Sequence, residues 1–137
     1  MKIEDAARIL KADFPLYAEK ILKVITKEGE VKPFVLNPGQ IAVHKQLETQ
    51  LKETGRIRAL CLKARQVGIS TYVEGRYFWR ITQTRNANAF VLSHLAESTN
   101  SIFNMVKHFY ENVPHPAFKP PLSSQSAQTL AFDGLNS

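Results

Sequence analysis

The sequence predicts an α/β protein built on a parallel sheet, and three observations predict it. Ala59-Leu60-Cys61-Leu62, within residues 58–62, and Ala87-Asn-Ala-Phe-Val-Leu92 are short apolar runs. Strands covered on both faces need such runs, where a surface strand would alternate. Each run precedes a helical pattern. Val73, Tyr77 and Ile81 recur four apart, with Phe78 beside them, in residues 71–83; Ile102, Phe103, Val106, Phe109, Tyr110 and Val113 form a stripe in residues 97–112. Strand, loop, helix, strand, helix is the order of a right-handed βαβα unit.

The elements before and after follow from local chemistry. Ile9, Leu10, Phe14, Tyr17, Ile21, Leu22 and Ile25 predict helix across residues 5–27. Pro15 forces a break near Asp13, whose carboxylate caps the second piece, and Gly29 ends it. Residues 31–36 are extended around Pro33. Asn37-Pro38 supplies an N-cap followed by proline at the first helical position. The helix it opens runs to about Lys52 with Ile41, Val43, Leu47 and Leu51 on one side, and Gly55 closes it. Four prolines and three serines between Pro114 and Gln128 predict a loop, and residues 129–132 a last short strand.

Composition bounds the function. The chain has 137 residues, 44% hydrophobic and 22% charged, which suits a single globular core and excludes a disordered or collagen-like chain. Its longest apolar run falls far short of the roughly 20 residues a membrane span needs. Met1-Lys2-Ile3-Glu4-Asp5 meets charge at once, without the apolar core of a signal peptide. The single cysteine, Cys61, excludes an internal disulfide and a multi-cysteine zinc site, and a reducing, cytoplasmic setting is expected. The net charge is +6. Arg56, Arg58, Lys63, Arg65, Arg76, Arg80 and Arg85 face only Glu74 in residues 56–85, so that window carries the whole surplus. A block of this kind points to a polyanion, either nucleic acid or a nucleotide's phosphate chain; a solvated basic face is the plain alternative.

Lys63-Ala-Arg-Gln-Val-Gly-Ile-Ser-Thr71 lies between the first strand run and the helix after it. A helix N-terminus there offers free N–H groups and a positive dipole end to phosphate. The usual phosphate-loop pattern is G-x-x-x-x-G-K-[ST]. Here Gly68 and Ser70 fit, Ile69 occupies the lysine slot and Lys63 the first-glycine slot. The ammonium is moved to the start of the loop, from which a lysine stem reaches across it. Gly68 lets the backbone approach phosphate, Ser70 beside Thr71 offers a hydroxyl to Mg²⁺, and Arg65 adds a charge for the transferred phosphoryl group. The alternative is a basic turn with Ser70 as a simple cap.

That loop resembles the deviant Walker A motif of large terminase subunits, the ATPases that package DNA into tailed-phage heads. One branch of the family carries its lysine at the start of the loop. Phe34-Val-Leu-Asn-Pro-Gly-Gln40 resembles the upstream stretch whose glutamine contacts adenine. Asn88-Ala-Phe-Val-Leu-Ser-His-Leu-Ala-Glu-Ser98 resembles the second core strand and its turn, and Ile102-Phe-Asn-Met-Val-Lys-His-Phe-Tyr110 the helix that follows. The likeness runs from about Asp13 to the C-terminus.

The resemblance implies a RecA-like P-loop NTPase fold: a parallel sheet with flanking helices, incomplete at its C-terminal end. Residues 1–36 would be an N-terminal helical segment and residues 37–137 the first part of the ATPase domain. It implies ATP and Mg²⁺ as cofactors. Lys63, Ala64, Arg65, Gln66, Val67, Gly68, Ile69, Ser70 and Thr71 would bind nucleotide, with Lys63 on the phosphates, Arg65 as sensor or finger, Ser70 on Mg²⁺ and Gln40 reading adenine. The implied partners are double-stranded DNA, the small terminase subunit and the portal protein, with homo-oligomers formed by the full-length protein.

Hydrolysis in this family also needs an apolar strand ending in Asp-Glu. Thr129-Leu-Ala-Phe-Asp133 ends in Gly134 with no following Glu, and Asp133 is the only acid from Asn112 onward. The acidic Walker B motif, the coupling motif and the nuclease domain are therefore missing, and the chain reads as a fragment. The alternative is a non-hydrolysing remnant or a basic binding module. His44, His94, His108 and His115 lack metal-ligand spacing, and Ser93-His94 near Glu97 lacks a nucleophile elbow. Arg76, Arg80 and Arg85, next to Tyr77, Phe78 and Trp79, are candidate DNA contacts.

Overall fold

The computed structural model describes the chain except residues 1, 64–67, 94–95, 127–128, 133–134 and 136. Two helices open the chain, α1 (Ile3–Ala12) and α2 (Phe14–Ile21). The break falls at Asp13, which is extended, and its carboxylate accepts from Leu16 N at 3.1 Å. Helix 5–27 ends earlier than the periodicity predicts. Lys23–Ile25 is strand β1, paired antiparallel with β2 (Val31–Pro33) in the register Lys23↔Pro33 and Ile25↔Val31. The turn residues decide this: Thr26 N donates to Glu30 O at 2.8 Å, and Gly29 takes φ 83°, closing a hairpin where a helix end was expected.

Helix α3 (Pro38–Thr54) starts at a full capping box between Asn37 and Gln40 and ends at Gly55, left-handed at φ 73°. Helix α4 (Ile69–Gln83) and helix α5 (Ala96–Glu111) follow, then a 3₁₀ turn at Pro116–Phe118. Strands β3 (Leu122–Gln125) and β4 (Leu130–Phe132) pair antiparallel with a bulge between Leu122 and Ser124.

The parallel sheet of a P-loop NTPase is not what the chain builds. Among the described residues the sheets are two antiparallel pairs, β1–β2 and β3–β4, in a helix-rich fold. Residues 58–62 and 87–92 have no regular secondary structure and belong to neither sheet. Leu60, Leu62, Phe90 and Leu92 are exposed by 103, 105, 81 and 79%. The physical reason lies in how the helices use their apolar stripes. Parallel strands need cover on both faces. Here α4 packs against α2 and α5, and α5 packs along β1. The core is Phe14, Tyr17, Ile21 and Leu22 from α2 and its end, Phe34 and Leu36, Tyr72 and Phe78 from α4, Val106 and Phe109 from α5, and Phe132 from β4. Neither apolar run contributes to it.

Rings fill that core. Phe109 stacks on Phe34 at 6.4 Å and meets Phe78 at 6.0 Å, while Phe14 meets Tyr72 edge-on at 5.6 Å and Trp79 at 5.4 Å. Gly75 makes the α2–α4 approach feasible, since a Cβ there would stand 3.2 Å from both Leu22 Cδ1 and Phe34 Cε1. Trp79 Nε1 donates to Leu10 O at 2.9 Å, tying α4 to the end of α1. Burial pushes the Tyr17 hydroxyl, beside Thr82, up to about 12.

Candidate nucleotide-phosphate site

The turn into α4 is set by Gly68, its N-cap, at φ 78° and ψ 13°. This left-handed geometry favours glycine, and a Cβ would also lie 2.6 Å from Gln40 Nε2. Gln40 explains the crowding. Its Nε2 donates to Gly68 O at 2.7 Å and its Oε1 accepts from Asn37 N at 2.9 Å. One buried amide thus completes the cap of α3 and fastens the Gly68 turn to it. Both ends of the amide are engaged with backbone, at Gly68 and Asn37.

Among the described residues no side chain caps α4, and the first N–H groups of a helix opened in this way are candidates for solvent or an anion. Ser70 is exposed and Thr71 half-buried in this first turn. Ile69 is buried, which accounts for an apolar residue in the usual lysine slot. Lys63 is exposed. Ala64, Arg65, Gln66 and Val67 lie outside the described residues. The approach to the loop is anchored at Arg58, whose backbone N donates to Gln50 Oε1 and whose O accepts from Gln50 Nε2, both at 2.9 Å. Here a side-chain amide from α3 takes the place of a neighbouring strand.

Of the seven cations between residues 56 and 85, Arg56, Arg58, Lys63, Arg80 and Arg85 are exposed. Arg76, one of the candidate DNA contacts, is half-buried. It pairs with Glu48 at 2.6 Å, approaches Tyr72 Oη at 3.3 Å and His44 Nδ1 at 3.2 Å, and lies 5.7 Å from the centre of the Trp79 ring. Because a guanidinium only donates, His44 Nδ1 is an acceptor, and the Tyr72 hydroxyl donates a hydrogen bond to it at 2.9 Å. Burial first, and then Arg76, lowers the His44 pKa. The sequence holds the signal for this clamp: His44 and Glu48, and Tyr72 and Arg76, are each four apart on facing helices.

The sequence reading also passed over Glu74. It is 4% exposed, and burial raises its carboxyl from 4.5 to about 7. The folded state then holds a proton that the unfolded chain has already lost, so stability falls as pH rises between these values. In a dry site the effect would be about 3 kcal/mol, and solvent screening through the open cleft would reduce it to the order of 1–2 kcal/mol. Glu74→Gln is expected to flatten this dependence and to raise stability at pH 8 by a similar amount. Urea titrations at pH 5 and pH 8 measure it, and equal slopes for both proteins would refute it.

In comparison with known proteins, the chain matches no family model and no curated protein. Among the described residues, no group of three or more His, Cys, Asp or Glu is arranged to hold a metal ion, and no helix is long and apolar enough to cross a membrane.

Proposed function

We propose that the chain binds the phosphates of ATP at the turn opening α4, as the nucleotide-binding part of a DNA-packaging ATPase of the large-terminase kind. The observation that carries this reading is the uncapped N-terminus of α4, presented by a left-handed Gly68 that Gln40 holds in place. Backbone donors, a positive dipole end and a glycine close to the ligand are what a phosphate chain needs. The exposed Lys63 supplies a mobile ammonium and Ser70 a hydroxyl for Mg²⁺. Mg²⁺ there would neutralise phosphate charge, and the Ser70 hydroxyl is the protein oxygen offered to it here, as a hard cation shared with phosphate oxygens requires. The motif resemblance supplies the larger context: double-stranded DNA as cargo, and the small terminase subunit and portal protein as partners. The proposal concerns binding. Hydrolysis would require an acidic pair that residues 112–137 do not contain.

Calorimetry with Mg-ATP tests it, beside Lys63→Ala and Gly68→Ala, with circular dichroism as the folding control. Lys63→Ala removes an exposed side chain, so its fold should persist while affinity drops at least tenfold. Gly68→Ala should lose binding because its Cβ would displace Gln40. Equal affinity for Lys63→Ala, or no binding by folded protein, would sink the reading.

A second reading is passive polyanion binding, favoured by the five exposed cations of residues 56–85. It predicts duplex-DNA binding that weakens steeply with salt and is indifferent to Mg-ATP.

A further inference from the structure

Glu74 lies one helical turn after Ser70, and the lining of the cleft it borders includes none of residues 68–71. Among the described residues, no hydrogen bond or ion pair is made by its carboxyl, although the residue is more than nine-tenths buried. It lines a cleft of about 540 Å³ between α4, α5 and residues 89–92. That size is in the range of small-molecule sites. Tyr77, Phe78, Phe90 and Phe103 bring four aromatic side chains to the same cleft, and Ile81, Ile102 and Val106 add aliphatic wall. Among the described lining residues Glu74 is the only carboxyl, there is no Lys, Arg or His, and Tyr77 is the one other titratable group.

A buried carboxylate without a partner is costly, and a cation brought to it relieves that cost. Aromatic faces attract the same cation through their quadrupoles and pack against an apolar body. The two features select one chemistry. We infer that the α4–α5 cleft is a binding site for a small organic ammonium with an apolar body, its head on Glu74 and its body against Phe78, Phe90 and Phe103. An anion is disfavoured by the carboxylate. A neutral apolar molecule would leave the carboxylate unpaired, so charge complementarity favours the cation.

The probe is 2-phenylethylammonium, titrated into the full chain at pH 8 and followed by calorimetry and by amide chemical shifts. The neutral isostere 2-phenylethanol and the anion 3-phenylpropionate are the comparisons. Millimolar or tighter binding of the ammonium is expected, with the alcohol at least tenfold weaker and the anion weaker still. Glu74→Gln should remove the preference for the ammonium over the alcohol. Phe90→Ser, at an exposed position where the fold has little to lose, should weaken the ammonium several-fold. The inference fails if the folded protein does not bind the ammonium, if the alcohol binds as well, or if Glu74→Gln keeps the preference.

Discussion

Phe109→Ala is expected to cost about 3–5 kcal/mol, while Leu60→Ser and Leu62→Ser change stability by about 0.5 kcal/mol or less. Phe109 is fully buried between the Phe34 and Phe78 rings, so truncation removes contacts on both sides and leaves a cavity that neighbouring aromatic rings cannot readily collapse into. A domain of this size has about 5–15 kcal/mol in total. The variant should therefore lose a large part of its urea midpoint. Leu60 and Leu62 have no core contacts to lose. In a parallel sheet the order would reverse, because a leucine in a central strand is among the most costly to replace by a polar residue. Urea denaturation of the three variants thus separates the two architectures. A loss above 2 kcal/mol at Leu60 would restore the sheet.

What the sequence discloses here is local. Asp13, Asn37-Pro38 and Gly55 mark helix ends because a cap acts within three or four residues, and the structure places the helix boundaries at each of them. The stripes of α4 and α5 are legible for the same reason. What those stripes pack against is not, because a helix face that suits a sheet also suits another helix. The runs at residues 58–62 and 87–92 show the cost of this ambiguity: apolar content identifies a strand only where neighbours pair with it. Thr26 and Gly29 were enough to make a hairpin, yet the helical periodicity through Ile25 hid it. Gln40 is prominent in the sequence only through the resemblance, which implies contact with adenine, and sequence spacing could not show that its amide is engaged with the backbone of Gly68 and Asn37. The burial of Glu74 is not legible because an isolated charge in a helix gives no sign of which face it takes; the clamp on Arg76 leaves its four-residue spacings in the sequence, but not which helices bring them together.

Arg76→Ala should destabilise the protein by about 2–3 kcal/mol, below the 3–5 kcal/mol of a fully buried pair because Glu48 retains some solvent. Among the described residues Arg76 is the group that joins α3 to α4 through charge, and its removal strands the Glu48 carboxylate, while His44 Nδ1 keeps the Tyr72 hydroxyl as its donor. Lysine should restore little, since a single ammonium cannot reach Glu48, Tyr72 and His44 in the fork geometry that guanidinium provides. Glu48→Gln combined with Arg76→Met should recover part of the loss, because the stranded charge goes with its partner. A double-mutant cycle for Arg76 and Glu48 is then expected to give a coupling on the order of 1–2 kcal/mol, and a value near zero would reduce the clamp to a surface ion pair. The clamp also responds to acid. His44 has its pKa lowered in the fold, so its contribution is present above its ordinary value of 6.5 and is lost as pH falls below it. Arg76→Ala removes one of the two causes of that lowering and should shrink the acid sensitivity between pH 7 and pH 5. The same contacts separate Arg76 from Arg80 and Arg85 as a DNA ligand. Charge reversal at Arg80 or Arg85, both exposed, should weaken any duplex binding and flatten its salt dependence. Neutral substitution at Arg76 should act on the fold first, with the salt slope of the folded fraction unchanged.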